Sequence, residues 1–133
     1  KLLRSVDVLV PNAGELAELA GADPAGDHGG VVDRARSVRG PGAVVVTLGA
    51  DGALVVTGKG SEHVPAPSVR AVDTTAAGDC FCGALADALA RGLILVDAAR
   101  WAVAASSLSV GRKGAQASLP TANEVRAAAV SGD

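Results

Sequence analysis

Aromatic residues are almost absent from this sequence of 133 residues, which contains one Phe, one Trp and no Tyr. Proteins that bind single-stranded nucleic acid stack the bases on exposed aromatic side chains beside basic grooves. The formal net charge here is −2 at pH 7, so nucleic acid is not an expected partner. Hydrophobic residues make up 49% of the chain and are mostly Ala, Val and Leu. We therefore expect a core of small, closely packed side chains.

Long apolar runs are also absent. Asp87 and Arg91 interrupt the longest candidate, residues 81–96, so no segment is long enough to span a bilayer. The N-terminus shows no apolar stretch followed by a small-residue cleavage site. We expect a cytoplasmic protein with no membrane partner.

Cysteine and histidine are scarce, with two residues of each. Cys80 and Cys82 lie too close together for a disulfide framework, and CxC alone is a poor zinc site. We expect both to be small residues on a helix. His28 and His63 each lie among turn residues, without a spaced partner that would indicate a metal site. We expect two solvated surface side chains.

Short β-branched runs alternate with helical patterns along the chain. Residues 6–10, 43–47 and 53–57 are expected to be strands, and the turn LGADG joins the last two. A further short strand is expected to follow the turn GKGS, and residues 69–72 are expected to be extended. The alternation predicts an α/β fold, a layered sheet flanked by helices with an antiparallel hairpin at one edge, in a single domain over residues 1–133.

Helical spacing is expected in five segments, at about 15–20, 31–38, 80–91, 97–110 and 121–130. In the second segment, Arg34, Arg36 and Arg39 are placed for solvent. Asp97 is expected to cap the fourth helix, and Thr121 with Glu124 has the spacing of a capping box for the last.

The most informative segment is DTTAAGDCFCGAL, residues 73–85. Ala76, Ala77 and Gly78 lead into a helix expected to begin at Asp79. Backbone N–H groups at such a helix start have no intrahelical partner and bind anions, and small side chains allow a phosphate to approach. Gly78 can also adopt backbone angles that Ala cannot adopt cheaply.

A carboxylate beside such a site is chemically informative. Asp79 would be repelled by a bound phosphate unless it accepts a proton from a nucleophile that attacks the same phosphorus. The alternative is an ordinary helix cap at Asp79 after a glycine turn, which this motif alone leaves open.

The same string resembles the C-terminal signature of the ribokinase family of sugar and nucleoside kinases (PfkB type), D-T-x-G/A-A-G-D-x-F-x-G-A. Every fixed position of that signature is filled here, including Phe81 and Gly83. The resemblance implies that Asp79 is the catalytic base. It also implies that Ala76, Ala77 and Gly78 contribute to an anion hole for the transferred phosphoryl group.

Two further stretches resemble nucleotide-binding elements of this family. PNAGELAEL resembles P-N-x-x-E, which implies Asn12 near the phosphates and Glu15 near Mg²⁺; alone, the pair is also a capping arrangement. VVVTLGADGALV resembles the T-L-G-x-x-G turn beside ATP; alone, it is a plain hairpin turn. Val103 stands where many members have His or Asn against the adenine. The resemblance implies these nucleotide contacts: Asn12, Glu15, Thr47, Leu48, Gly49, Ala50, Asp51, Gly52, Gly78, Asp79 and Val103.

SVGRKGAQASLP resembles a loop of the family members that phosphorylate ribose. In the family, this loop and the D-T-x segment hold a monovalent cation, usually K⁺. Without the resemblance, the segment is a solvated basic loop after a helix. The positive charges of Arg112 and Lys113 would then interact favourably with the negative C-terminal end of the helix dipole. Carried over by position, the cation ligands are Asp73, Thr75, Ser109, Arg112, Gly114 and Ser118.

The resemblance extends from Asp7 to about Pro120, whereas family members are much longer. It implies the C-terminal half of a kinase whose N-terminal half is absent, phosphorylating a sugar hydroxyl with ATP, Mg²⁺ and K⁺. Ribose is the favoured acceptor. A related sugar or nucleoside acceptor, a nucleotide-binding module without turnover and a remnant that cannot fold alone stay open. The expected partners are the sugar, ATP and, in a full-length protein, a second copy of the chain.

Overall fold

The computed structural model describes residues 2–23, 26–68, 76–111 and 119–131. The chain divides into two compact units. The first contains residues 1–49 and 53–63, and the second contains residues 50–52 and 64–133. The single domain expected from the sequence stays a prediction.

The first unit is built on a sheet whose four strands lie in the order β1-β2-β3-β4. β1 pairs with β2 in parallel, with Val8 opposite Ala43, whereas β2 and β3 are antiparallel, with Val45 opposite Val55. Gly58 and Lys59 join β3 to its neighbour, a connection that only an antiparallel hairpin permits. The strands are β1 (Val8–Leu9), β2 (Ala43–Thr47), β3 (Ala53–Thr57) and β4 (Gly60–Val64).

The predicted bounds of β2 and β3 are confirmed. The strand expected at residues 6–10 is shorter and contains only Val8 and Leu9, because β1 pairs regularly with β2 only at these two positions. Residues 69–72, expected to be extended, lie outside the described residues.

Two helices, α1 (Ala13–Ala20) and α2 (His28–Ser37), complete the first unit. Val44 and Val46 of β2 alternate along the strand and therefore share one face, as do Leu54 and Val56 of β3. The helices pack on this face and bury their own apolar residues there. The resulting core consists of Leu16, Val31, Ala35, Val44, Val46, Leu54 and Val56.

α2 begins three residues earlier than expected, because Asp27 caps it. The Asp27 Oδ1 accepts a hydrogen bond from the Gly30 amide at 3.0 Å. The expectation that Arg34 faces solvent is wrong. Its Nη1 lies 3.3 Å from the place that a Cβ on Gly30 would take, and its Nε and Nη2 are buried without a hydrogen-bond partner among the described residues. Arg36 and Arg39 are exposed, as expected.

The second unit contains α3 (Ala77–Ala90), α4 (Leu95–Val110) and α5 (Ala122–Ser131). Small residues allow the helices to pack closely, as the Ala- and Val-rich composition predicts. Cys80 of α3, Ala104 and Ala105 of α4, and Val125 of α5 form one buried cluster. Trp101 is half-buried against it and also lies under the Arg91 guanidinium, 4.5 Å from the ring centroid.

The helix ends agree with the sequence in part. The capping box of α5 is confirmed, with Thr121 N donating to Glu124 Oε2 at 2.7 Å and Glu124 N donating to Thr121 Oγ1 at 3.3 Å. The expectation that Asp97 caps α4 is wrong, since Ile94 is the cap residue. Asp97 lies in the first turn and pairs with Arg100 at 3.0 Å.

The order of strands and helices confirms the predicted α/β class with its antiparallel hairpin at one edge of the sheet. Among the residues described, no helix combines the length and apolar character that crossing a membrane requires.

Gly52, at the entrance to β3, provides a test of this fold. Its φ is 88°, and a Cβ there would overlap the Val64 carbonyl oxygen and lie 2.8 Å from the Ala66 nitrogen. We expect Gly52→Ala to lower the free energy of unfolding by at least about 2 kcal/mol, because the left-handed conformation alone costs about 1–2 kcal/mol. Urea denaturation followed by circular dichroism measures the change.

Gly58→Ala is the matched control, because a Cβ at Gly58 meets nothing within 4 Å and its φ is not positive. It should change the free energy of unfolding by less than about 1 kcal/mol. Equal losses in the two variants would contradict the packing described for Gly52.

Candidate active site

The parallel pairing of β1 and β2 places the PN element beside the TLG turn. The Thr47 amide donates to the Pro11 carbonyl at 2.9 Å, and Asn12 forms an isolated parallel bridge with Thr47. Both residues lie at the carboxyl ends of neighbouring parallel strands, which is where open α/β sheets bind ligands. Two predicted nucleotide contacts that are distant in the sequence are therefore neighbours in the first unit.

Asn12 and Glu15 form a complete capping box at the start of α1. The Glu15 amide donates to Asn12 Oδ1 at 2.8 Å, and the Asn12 amide donates to Glu15 Oε1 at 3.3 Å. The expected capping arrangement of Asn12 and Glu15 is thus confirmed. The capping box does not use every polar atom of the two side chains. The cap needs the Asn12 oxygen and not its NH₂ group, which is the donor that a phosphate would need. Both residues are exposed.

The TLGADG segment forms a 3₁₀ turn, Gly49–Asp51, between β2 and β3. Gly49 has φ 60°, and a Cβ there would meet nothing within 4 Å, so one side of the turn is open. Leu48 packs against the core of the first unit, whereas Ala50 and Asp51 are exposed. The hairpin interpretation is therefore confirmed, and a nucleotide contact along this turn stays a prediction.

The start of α3 differs from the expectation in two respects. The helix begins at Ala77, two residues before Asp79, because the Ala76 carbonyl accepts the first helical hydrogen bond, from Cys80 N at 2.8 Å. Gly78 lies inside the helix and has no positive φ, so the expectation of an unusual backbone angle is wrong. Gly78 instead leaves open space beside the helix start, since a Cβ on this residue would meet nothing within 4 Å.

Three amides precede the first intrahelical donor of α3, those of Ala77, Gly78 and Asp79. Such amides have no partner within the helix, and the cap residue Ala76 makes no side-chain hydrogen bond to them. They carry the positive end of a helix of 14 residues. This part of the predicted anion hole has the required local form.

Asp79 is the third residue of α3, and its side chain is exposed. It is not the cap of the helix, since Ala76 holds that position. Asp79 also lines a cavity of about 270 Å³ in the second unit, together with Cys80, Trp101 and Leu119. Asp79 thus lies at a cleft, which a base for an incoming hydroxyl requires. This cavity was not apparent from the sequence, because three separate segments form it.

Asp87 lies two turns further along α3 and lines the same cavity. Unlike Asp79, it forms an ion pair with Arg91 at 3.1 Å. Two aspartates therefore line the cavity. Asp79 lies at the start of α3, whereas Asp87 is paired with Arg91 further along the helix.

α4 supports the start of α3. The Ser106 hydroxyl donates to the Ala77 carbonyl at 3.4 Å, so a small residue of α4 contacts the first residue of α3. Sequence reasoning missed Ser106, because nothing in its local pattern distinguishes it from the neighbouring small residues. Val103, the predicted adenine contact, is 5% exposed and offers little surface to a base.

Cys80 packs into the core beside Asp79, and burial raises the pKa of its thiol. A buried, protonated thiol is a poor nucleophile. Cys82 is exposed, and neither cysteine is in a disulfide. The expectation of two small helical residues is confirmed.

Most of the predicted monovalent-cation ligands lie outside the described residues: Asp73, Thr75, Arg112, Gly114 and Ser118. Ser109 is described, and it is 1% exposed in the last turn of α4. Its carbonyl accepts a hydrogen bond from the Gly111 amide, and its part in holding a cation stays a prediction.

Residues 1–122 match the family model described as pfkB family carbohydrate kinase. The chain belongs to the pfkB family. It is 39% identical over 127 residues to the ribokinase of Haemophilus influenzae, a match that covers 93% of this chain and 41% of that pfkB protein. The expected resemblance to the ribokinase family is thereby confirmed.

Solved structures of pfkB relatives have the same fold. Arabidopsis thaliana ribokinase complexed with ribose and ATP matches 96% of this chain and 42% of its own length, with a TM-score of 0.85 and 33% identity. Phosphofructokinase-2 from Escherichia coli in complex with potassium matches 98% and 43%, with a TM-score of 0.84 and 26% identity. The chain thus spans about two fifths of the length of these pfkB proteins.

The capping box at α1 leads to a prediction about Asn12. Asn12→Ala should lower the free energy of unfolding by about 1 kcal/mol, because the Glu15 amide loses its acceptor, whereas Asn12→Ser keeps a hydroxyl acceptor and should cost only a few tenths of this. Urea denaturation of both variants measures the difference. If Asn12→Ser lowers the free energy of unfolding as much as Asn12→Ala does, then Asn12 does not stabilise the protein through the helix cap.

Proposed function

We propose that the protein containing this chain transfers the terminal phosphoryl group of ATP to a sugar hydroxyl, with ribose as the favoured acceptor. The observation that carries the proposal is the start of α3, where three amides precede the first helical hydrogen bond and Asp79 lies at a cavity. Membership of the pfkB family supports ATP-dependent phosphorylation of a sugar. A ribokinase complexed with ribose and ATP, with a TM-score of 0.85, supports the choice of acceptor.

Asp79 serves as the base in this reaction. Its carboxylate accepts the proton of the sugar hydroxyl while the oxygen forms a bond to the γ-phosphorus and the bond to the leaving ADP oxygen breaks. Such a base contributes about 10²–10⁴-fold to the rate. The exposed setting of Asp79 is compatible with this role, because the hydroxyl must reach the carboxylate from the open side.

The amides of Ala77, Gly78 and Asp79 stabilise the charge that develops on the transferred group. Each preorganised donor of this kind is worth about 3–4 kcal/mol in other enzymes. The absence of a Cβ on Gly78 is important here, since the open space beside this residue lets phosphate oxygens approach the backbone.

Residues of the first unit contribute to nucleotide binding in this proposal. Asn12 donates from its NH₂ group to a phosphate, and the TLG turn from Thr47 borders the nucleotide. Glu15 has an exposed carboxylate of the kind that Mg²⁺ prefers, so it would hold the ion, directly or through water. When bound, Mg²⁺ supplies positive charge that neutralises the phosphates.

A monovalent cation, K⁺, is the second ion of the proposal. The E. coli phosphofructokinase-2 structure in complex with potassium supports it. Of the residues described, Ser109 is the one that this proposal assigns to the ion, through its backbone oxygen.

The decisive experiment substitutes Asp79 in the full-length protein. Asp79→Asn should reduce kcat by about 10²-fold or more, since the amide cannot accept the proton. The Kd for ATP should change less than about threefold, because the backbone amides are retained. Initial rates with ribose and calorimetric titration with an ATP analogue measure the two quantities.

Asp87→Asn is the matched control for this experiment. It removes a carboxylate from the same helix and the same cavity, and it should leave kcat within about twofold, because this carboxylate forms an ion pair with Arg91 away from the helix start. Equal effects of the two substitutions would remove Asp79 from the base role. ATP binding by the parent protein without turnover on any sugar would favour the nucleotide-binding module.

A substitution at Gly78 distinguishes an effect on the anion hole from an effect on the stability of the fold. Gly78→Ala should raise the free energy of unfolding by up to about 1 kcal/mol, because Ala is the better residue inside a helix and its Cβ has space. The same methyl should obstruct the phosphate and lower kcat by about tenfold or more.

Gly83→Ala, also in α3 and also with nothing within 4 Å of its Cβ, should stabilise the protein similarly. It should lower kcat less than Gly78→Ala does, because Gly83 lines the cavity but lies beyond the first turn of the helix. Denaturation and initial rates with ribose test both variants. Full activity in Gly78→Ala would argue against close approach of a phosphate at this helix start.

A further inference from the structure

The fold of the first unit brings the two histidines of the chain together. His28 is the first residue of α2 and His63 lies in β4. Their ring centroids are 4.6 Å apart, and the ring planes are tilted by 54°. Both side chains are exposed. The expectation of two surface side chains is therefore confirmed, but the spacing of the histidines in the sequence did not predict the contact between their rings.

The separation of the rings fits two ligands of one metal ion. An imidazole nitrogen coordinates Zn²⁺ at about 2.0–2.1 Å, which places the ring centroid about 3.2 Å from the ion. Two such rings at angles between a right angle and the tetrahedral angle have centroids about 4.5–5.2 Å apart. The observed 4.6 Å lies within that range. The tilt of 54° excludes parallel stacking of the rings but is also that of an ordinary tilted aromatic contact, and metal titration distinguishes the two.

We propose that His28 and His63 bind a divalent transition-metal ion, of the class Zn²⁺, Cu²⁺ or Ni²⁺, at the surface of the first unit. Imidazole is a good ligand for these ions, whereas Mg²⁺ and Ca²⁺ prefer oxygen ligands. The site is therefore distinct in chemistry from the proposed Mg²⁺ position at Glu15.

The remaining coordination positions belong to water. Among the described residues no group of three or more His, Cys, Asp or Glu side chains is placed to hold a metal, so the described residues contribute two ligands. His63 makes a further interaction in the structure. This is compatible with coordination, because one ring nitrogen can bind the metal while the other bonds a second partner and orients the ring.

The charge around the pair includes one favourable carboxylate. A cation at a helix N-terminus is opposed by the helix dipole, and Asp27, the cap of α2, lies next to His28 in the chain. Its Oδ1 bonds the Gly30 amide, so its negative charge opposes the dipole at this end. The Arg34 guanidinium adds positive charge at the same helix start, since its Nη1 lies 3.3 Å from the place that a Cβ on Gly30 would take. A bound ion would join the start of α2 to β4, so binding should stabilise the first unit.

The test uses the full-length protein and metal ions alone as probes. Zn²⁺ is titrated by calorimetry, and Cu²⁺ binding is followed by electron paramagnetic resonance, in which nitrogen hyperfine structure reports the number of coordinated imidazoles. Four variants are compared with the parent. His28→Gln and His63→Gln each remove one ligand, whereas Asp33→Asn in α2 and Ser61→Ala in β4 change exposed neighbours on the same two elements.

The parent should show one saturable site with two nitrogen ligands. Each histidine variant should weaken this site by about tenfold or more and leave one coordinated imidazole, while the two control variants retain the parent affinity. Circular dichroism of the metal-free proteins checks that the histidine variants are folded. A two-nitrogen signal that persists in either histidine variant, or a parent without a site that these substitutions remove, would overturn the proposal.

Discussion

The parallel pairing of β1 with β2 is the constraint on which the first unit depends. Two hydrogen bonds flank the ladder between these strands. The Ala43 amide donates to the Asp7 carbonyl, and the Thr47 amide donates to the Pro11 carbonyl. Together they align the ends of the two strands. Because α1 follows β1 directly, this alignment also determines where the Asn12 cap lies. The polar residues of the candidate nucleotide site are thus positioned by backbone hydrogen bonds and not by contacts between their side chains.

In the second unit, the corresponding constraint is the close approach of α3 and α4. Small residues on both helices permit it, and Ala98, Ala99 and Ala102 of α4 have no exposed surface. The Ser106 hydroxyl then reaches the Ala77 carbonyl. Packing against α4 therefore supports the start of α3, whose cap residue makes no side-chain hydrogen bond.

Structural and chemical roles coincide at the N-termini of these helices. Asn12 and Glu15 cap α1 with one oxygen each, and in the proposed function the remaining polar atoms of both side chains bind the nucleotide and its ion. At α3 the opposite arrangement holds, since the cap residue Ala76 makes no side-chain bond. A side-chain oxygen at that position would compete with the phosphate for the same amides.

What the sequence by itself determined is local: the bounds of β2 and β3, the capping box of α5 and the motifs that resemble a kinase family. Each rests on residues within a few positions of one another, where propensity and hydrogen bonding act directly. The start of α3 was misplaced because small residues such as Ala76 and Ala77 are compatible with either a turn or a helix. Only the tertiary structure decided that Arg34 is partly buried, that Asp79 lines a cavity and that His28 meets His63. These facts depend on contacts between segments far apart in the chain, and no local pattern encodes such contacts.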